Sequence, residues 1–305
     1  MTNDQLNYLN ILAMLVSAGL AVVIPFELVL LSYAILGPAH YLTEISWLNE
    51  RKFFTLKKYD YAVVIAVAII AYLLRLPFGY VVFYAFGLSF ILLVTGSIVY
   101  RMLAFCLLIA ASYFLLSNNL MQTIFGLYVP TLIHVYFFTG AFMLLGALKQ
   151  KVVSGYAAFV VFLLCPVLLC VLFTSWHSAT ASWAMHSYGY FGRINSTTLR
   201  SNTLDIFNNP LSIILTRLIA FAYTYHYINW FSKTRIINWH HMSLTRGVII
   251  GVIWIASVGL YFYNYSLGIK WLFLLSLVHV ILEFPLNHRT FIGIGRELGE
   301  RVHGS

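Results

Sequence analysis

The chain has 305 residues, 61% of them hydrophobic and only 9% charged. Soluble domains carry about 25% charged residues, so this composition excludes a water-covered globule and predicts an all-α, polytopic membrane helical bundle. The formal charge of +9 comes from basic residues scattered over short loops; that excludes a nucleic-acid partner and leaves membrane lipids as the surroundings.

Met1 to Leu9 contains Asp4 and no lysine or arginine. The apolar run that follows is too long for a cleaved signal peptide and is expected to stay as the first membrane helix. Reading on in the same way predicts about nine transmembrane helices, near 9–36, 61–76, 80–98, 102–116, 122–147, 153–174, 211–231, 247–264 and 269–286. Arg75, Pro77 and Gly79 separate the second from the third. With the N-terminus outside and the C-terminus inside, only Arg75, Arg193, Arg200, Arg217 and Lys270, out of 18 lysines and arginines, fall on the outer side. That asymmetry is what the positive-inside rule asks for. Residues 175–210 form a connection too polar to span, with His177 and His186 in it, and are expected on the outer face. Cys106, Cys165 and Cys170 lie in apolar runs without ligand spacing and read as small buried hydrophobes. No repeat, P-loop or dinucleotide fingerprint divides the chain, so 1–305 is expected to be one integral membrane domain.

Four histidines fall in the predicted helices: His40, His134, His226 and His279. Counted back from the first basic residue at each inner end, at about 1.5 Å per residue, they lie roughly 16, 22, 10 and 15 Å deep. Glu44 follows His40 by four residues and Glu283 follows His279 by four, so each pair shares a helix face. Ionisable groups at such depth cost several kcal/mol unless paired. Hydrogen bonds between helices would explain one such histidine; a divalent metal explains four at a common depth together with two carboxylates. Imidazoles with carboxylates suit iron, zinc or manganese, and a facial set with open positions suits iron that activates dioxygen. Tyr41, Tyr136, Tyr227 and Trp230 stand beside these histidines in sequence and are the expected lining of a substrate pocket. Gly37, Gly140 and Gly146 are expected to permit close helix approach, and Pro38 and Pro130 to kink their helices.

Taken in order, Pro38-Ala39-His40 with Glu44, Ile133-His134, Tyr225-His226-Tyr227 and His279-Val280-Ile281-Leu282-Glu283 resemble the motifs of the Brp/Blh family, membrane-embedded beta-carotene 15,15'-dioxygenases that make retinal. The resemblance covers motif order and spacing over most of the chain. It departs at Trp230, where the family has a second histidine, and at Glu44 and Glu283, where the family usually has aspartate. The resemblance implies a non-haem centre of one or two Fe(2+) ions held by His40, His134, His226 and His279. Glu44 and Glu283 would be further ligands or catalytic bases that orient the imidazoles. It also implies dioxygen and a lipophilic substrate as partners, in a bacterial inner (cytoplasmic) membrane. The expected function is therefore a membrane iron oxygenase of carotenoid-cleavage-like chemistry. Two alternatives stay open. A di-iron lipid desaturase or hydroxylase would carry clustered histidine boxes, of which His240-His241 is a single hint; a proton- or metal-coupled transporter would carry paired halves.

Overall fold

The structure is a computed structural model and describes residues 2–172, 179–200, 205–233 and 242–303. His177, His240 and His241 lie outside the described residues. The described chain is helical and contains no strand, as the composition requires. In order, the helices are α1 (Asn3–Val23), α2 (Pro25–Glu50), α3 (Asp60–Leu73), α4 (Phe78–Val94), α5 (Ile98–Leu115), α6 (Asn119–Gln150), α7 (Val153–Val171), α8 (Ser182–Ser187), α9 (Gly189–Leu199), α10 (Pro210–Ser232), α11 (Leu244–Tyr263) and α12 (Tyr265–His303). Among the described residues, eight of these are long and apolar enough to cross a membrane, and α3 and α4 are shorter apolar helices.

Two changes separate these from the expected nine: the runs near 61–76 and 80–98 are the shorter α3 and α4, and the first run is broken at Pro25. Ile24 leaves helical geometry (φ −135°, ψ 57°) and Pro25 occupies the first turn of the next helix, so the run taken as 9–36 is two helices. At Pro38, Pro130 and Pro285 the helix continues instead. Pro38 lacks the N–H an α-turn needs, and the turn before it, Ser32–Leu36, is π-helical. The indole N–H of Trp254 donates to the Ile35 carbonyl there (2.8 Å). Pro130 lies within a π-helical stretch of α6, Ile124–Phe138. Pro285 lies inside α12, which continues to His303 where the sequence suggested an end at 286.

The chain falls into two compact units, the first comprising residues 1–40 and 142–273, the second 41–141 and 274–305. In the first, α10 packs against α1, α2 and α7. Its buried face carries Phe221, stacked on Tyr225 with rings 6° from parallel, and Phe162 of α7 meets Tyr225 at 5.6 Å. Polar contacts fix the ends of these helices. Ser232 donates to Asn10 Oδ1 (2.9 Å), Asn7 donates to Ser154 (3.0 Å), and the Ser154 hydroxyl donates to the Asp4 carboxylate. The start of α1 therefore lies beside the Gln150–Ser154 turn, which carries Lys151 and follows Lys149. The two lie on one side of the bundle; the expected outside N-terminus and the inner side that the basic residues predict for that turn do not fit together.

The polar 175–210 connection folds into α8 and α9 where it is described. Asn195 donates to Ser212 Oγ (2.7 Å) and Thr216 Oγ1 (2.9 Å) at the start of α10, and Tyr188 donates to Thr216 (3.2 Å). Burial raises the Tyr188 phenol above its ordinary range, keeping it a neutral donor. Glu27 accepts from the Ala181 N–H (2.6 Å). His186 is exposed on α8, its Nδ1 donating to the Ser182 carbonyl (2.7 Å).

In the second unit α4 packs against α3, α5 and α6. Backbones come close at Gly79 and Gly126: a Cβ on Gly79 would come within 2.8 Å of the Gln122 carbonyl, and one on Gly126 within 3.1 Å of the Gly79 nitrogen. Gly146, expected in such a role, has nothing within 4 Å. Arg101 holds Asp60 through two parallel 2.8 Å bonds and also donates to the Thr95 and Leu92 carbonyls, so its guanidinium is almost fully satisfied away from water.

Two measurements follow. Single cysteines at Thr2 and Lys151, in a background lacking the native cysteines, should react with an impermeant maleimide from the same side of the membrane. Asp60→Ala should destabilise the protein by about 3 kcal/mol in unfolding titrations, because it leaves the buried Arg101 charge without its carboxylate.

Candidate metal centre

Within the second unit, α6 and α12 bring three predicted ligands together. His134, His279 and Glu283 are each at most 2% exposed, and one ligand atom from each lies within 4.8 Å of the others. His134 comes from the π-helical part of α6. His279 and Glu283 come from successive turns of α12, the i, i+4 spacing having placed both on one face.

Hydrogen bonding fixes one of the imidazoles. His279 Nδ1 lies 2.5 Å from the Ser276 carbonyl, which can only accept, so Nδ1 carries the proton and Nε2 presents its lone pair. His134 Nδ1 lies 3.4 Å from Glu283 Oε2, without hydrogen-bond geometry between them. The two Nε2 atoms face each other 3.1 Å apart. Either the Nε2–H of His134 donates to the His279 lone pair, or, with the His134 proton on Nδ1, both lone pairs face a shared cation. Nitrogens bound at about 2.1 Å and at right angles on one ion stand about 3.0 Å apart. Two imidazoles and a carboxylate so grouped could hold a metal ion.

Aromatic rings enclose this group. Tyr41, 1% exposed, stacks on His279 with centroids 4.3 Å apart, and Phe138 meets His134 edge-on at 6.0 Å. Tyr136 is half-buried; two positions from His134, it does not share that residue's helix face. Glu44 is 2% exposed on α2 but does not join the His134, His279 and Glu283 group.

In the first unit, His40 of α2 and His226 of α10 form a second pair, with Nε2 atoms 3.0 Å apart. Tyr227 lies 5.2 Å and Trp230 5.4 Å from the His40 ring, Trp230 nearly perpendicular to it. Trp230, at the position where the resembling family has histidine, thus packs against an imidazole in place of supplying one.

Sequence reasoning missed His288, which lies beyond the last predicted helix, 269–286. It is 6% exposed, because α12 runs on past it. Its Nε2 lies 2.9 Å from the Phe86 carbonyl and 3.0 Å from Ser89 Oγ, and its ring is 4.4 Å from that of Phe86. The i, i+5 spacing from Glu283 carries no periodic signal that would have found it.

Glu283→Gln should weaken binding of Co2+ to the purified protein about 10–100-fold, as loss of a group that contacts a ligand or the metal does elsewhere; absorption titration of the cobalt bands measures it. Set against known proteins, the chain matches no family model, no curated protein and no solved structure.

Proposed function

We propose that this chain is an integral membrane non-haem iron oxygenase acting on a lipophilic substrate, with carotenoid-cleavage-like chemistry. The observation that carries the reading is the pair of buried Nε2 atoms of His134 and His279, 3.1 Å apart with Glu283 beside them. Two histidines and one carboxylate are the donor set of non-haem iron oxygenases, which leave positions open for dioxygen and substrate. The motif resemblance to the Brp/Blh dioxygenases supports the same chemistry and the same class of substrate.

The residues divide the work. Iron held by the group would supply activation of dioxygen. The Ser276 carbonyl holds the proton on His279 Nδ1 and leaves its Nε2 for the metal; His134 would offer Nε2 with its proton on Nδ1, the nitrogen nearest Glu283. Tyr41 covers one face of His279 and keeps water from it. In the first unit, His40 and His226 are further metal ligands proposed from the sequence, with Tyr227 and Trp230 as apolar lining beside them; in the second, Glu44 is a further carboxylate for ligation or proton transfer.

The existence of two histidine pairs of equal spacing favours one second reading, a di-iron desaturase or hydroxylase of acyl chains. Metal analysis of purified protein tests both. The oxygenase predicts bound iron that is lost in His134→Ala and in His279→Ala, and conversion of a polyene to aldehydes under oxygen. Two iron equivalents with oxidised acyl chains and an intact polyene would select the second reading. Absence of any bound transition metal would sink both.

A further inference from the structure

The face of α12 that carries His279 and Glu283 continues one turn further to Asn287, which is 1% exposed. Neither the amide nitrogen nor the amide oxygen of Asn287 has a hydrogen-bond partner among the described residues. The neighbouring polar groups are engaged elsewhere: His288 with Phe86 and Ser89, and Thr290 with the Leu286 carbonyl at 3.0 Å. A buried carboxamide left with both ends unpaired costs more than most single interactions contribute, so native proteins give such groups an occupant.

We infer that Asn287 is a binding residue for one hydroxyl group, held beside the His134, His279 and Glu283 group. The carboxamide needs an acceptor for its N–H and a donor for its C=O, and a hydroxyl oxygen supplies both at once. A ketone or ether supplies only the acceptor, and an ammonium group only the donor. Residues four apart on a helix have Cβ atoms about 5–6 Å apart, so a hydroxyl held by Asn287 stands within reach of the Glu283 carboxylate. The chemistry fits the alcohol end of a lipophilic molecule and equally a buried water. The inference goes beyond the iron reading and does not need it: it concerns a polar anchor of α12, occupied with or without metal.

Substitution by leucine, close in shape to asparagine, separates an idle carboxamide from an occupied one. The measurements are the Tm of wild-type and Asn287→Leu protein in detergent, each alone, with octadecanol and with octadecane. A lipid alcohol as occupant predicts that wild type binds octadecanol about 10-fold more tightly than octadecane and that Asn287→Leu loses the preference. Water as occupant predicts no preference and a Tm about 2–4 °C lower in Asn287→Leu. A preference that survives in Asn287→Leu overturns the inference. So does a leucine variant as stable as wild type when neither protein shows a preference. Asn287→Ser and Asn287→Ala repeat the comparison at smaller volume: with a hydroxyl present the serine variant is the more stable, and equal stability of the two also overturns it. Cobalt affinity measured on the same samples reports separately on the His134 group.

Discussion

The bond from His279 Nδ1 to the Ser276 carbonyl is small, local and decisive. It closes within a single turn of α12, so it forms with the helix and depends on no other element. By fixing the tautomer, it directs one lone pair away from its own backbone and toward His134. Glu283, one turn further along, sets its carboxylate 3.4 Å from Nδ1 of the His134 ring. One helix, α12, thus supplies both an imidazole with its tautomer set by its own backbone and the carboxylate beside the other imidazole. Inside a membrane this economy matters, because a group that cannot find water must find its partner in protein.

Irregular backbone accompanies these groups. His40 follows the π-turn at Ser32–Leu36 and Pro38; His134 lies in the π-helical part of α6, after Pro130; Pro285 comes just after Glu283. A wider turn changes which side chains share a face, and a proline leaves a carbonyl without its usual donor. Beside Pro38, the indole of Trp254, from another helix, donates to the Ile35 carbonyl. Only His226 sits in a helix with no proline beyond its first turn.

Composition alone was enough to read the helical class and the membrane-spanning character, because no other arrangement tolerates so few charges. The spacing of His279 and Glu283 gave their shared face directly, since i, i+4 is a property of the helix itself. The break at Pro25 was also written in the sequence, but the apolar run continues through it and hydropathy does not register the change in φ at Ile24. The burial of His288 was hidden for the opposite reason: Pro285 looks like a helix end, and tertiary packing carries the helix through it. The approach of His134 to His279 spans 145 positions and has no local signature. The side of the N-terminus depended on Asp4 and Asn7 finding Ser154, polar contacts that a count of basic residues does not see.

The close approach of α4 and α6 at Gly79 and Gly126 carries a mechanical consequence. Gly126 lies eight residues before His134 on α6, so the point where the backbones touch is also the point that sets how far α6 can slide along its axis. A methyl group at Gly79 meets the Gln122 carbonyl, which is backbone and cannot rotate aside. The contact acts as a stop, and the height of the His134 ring is gauged from a glycine that never approaches it.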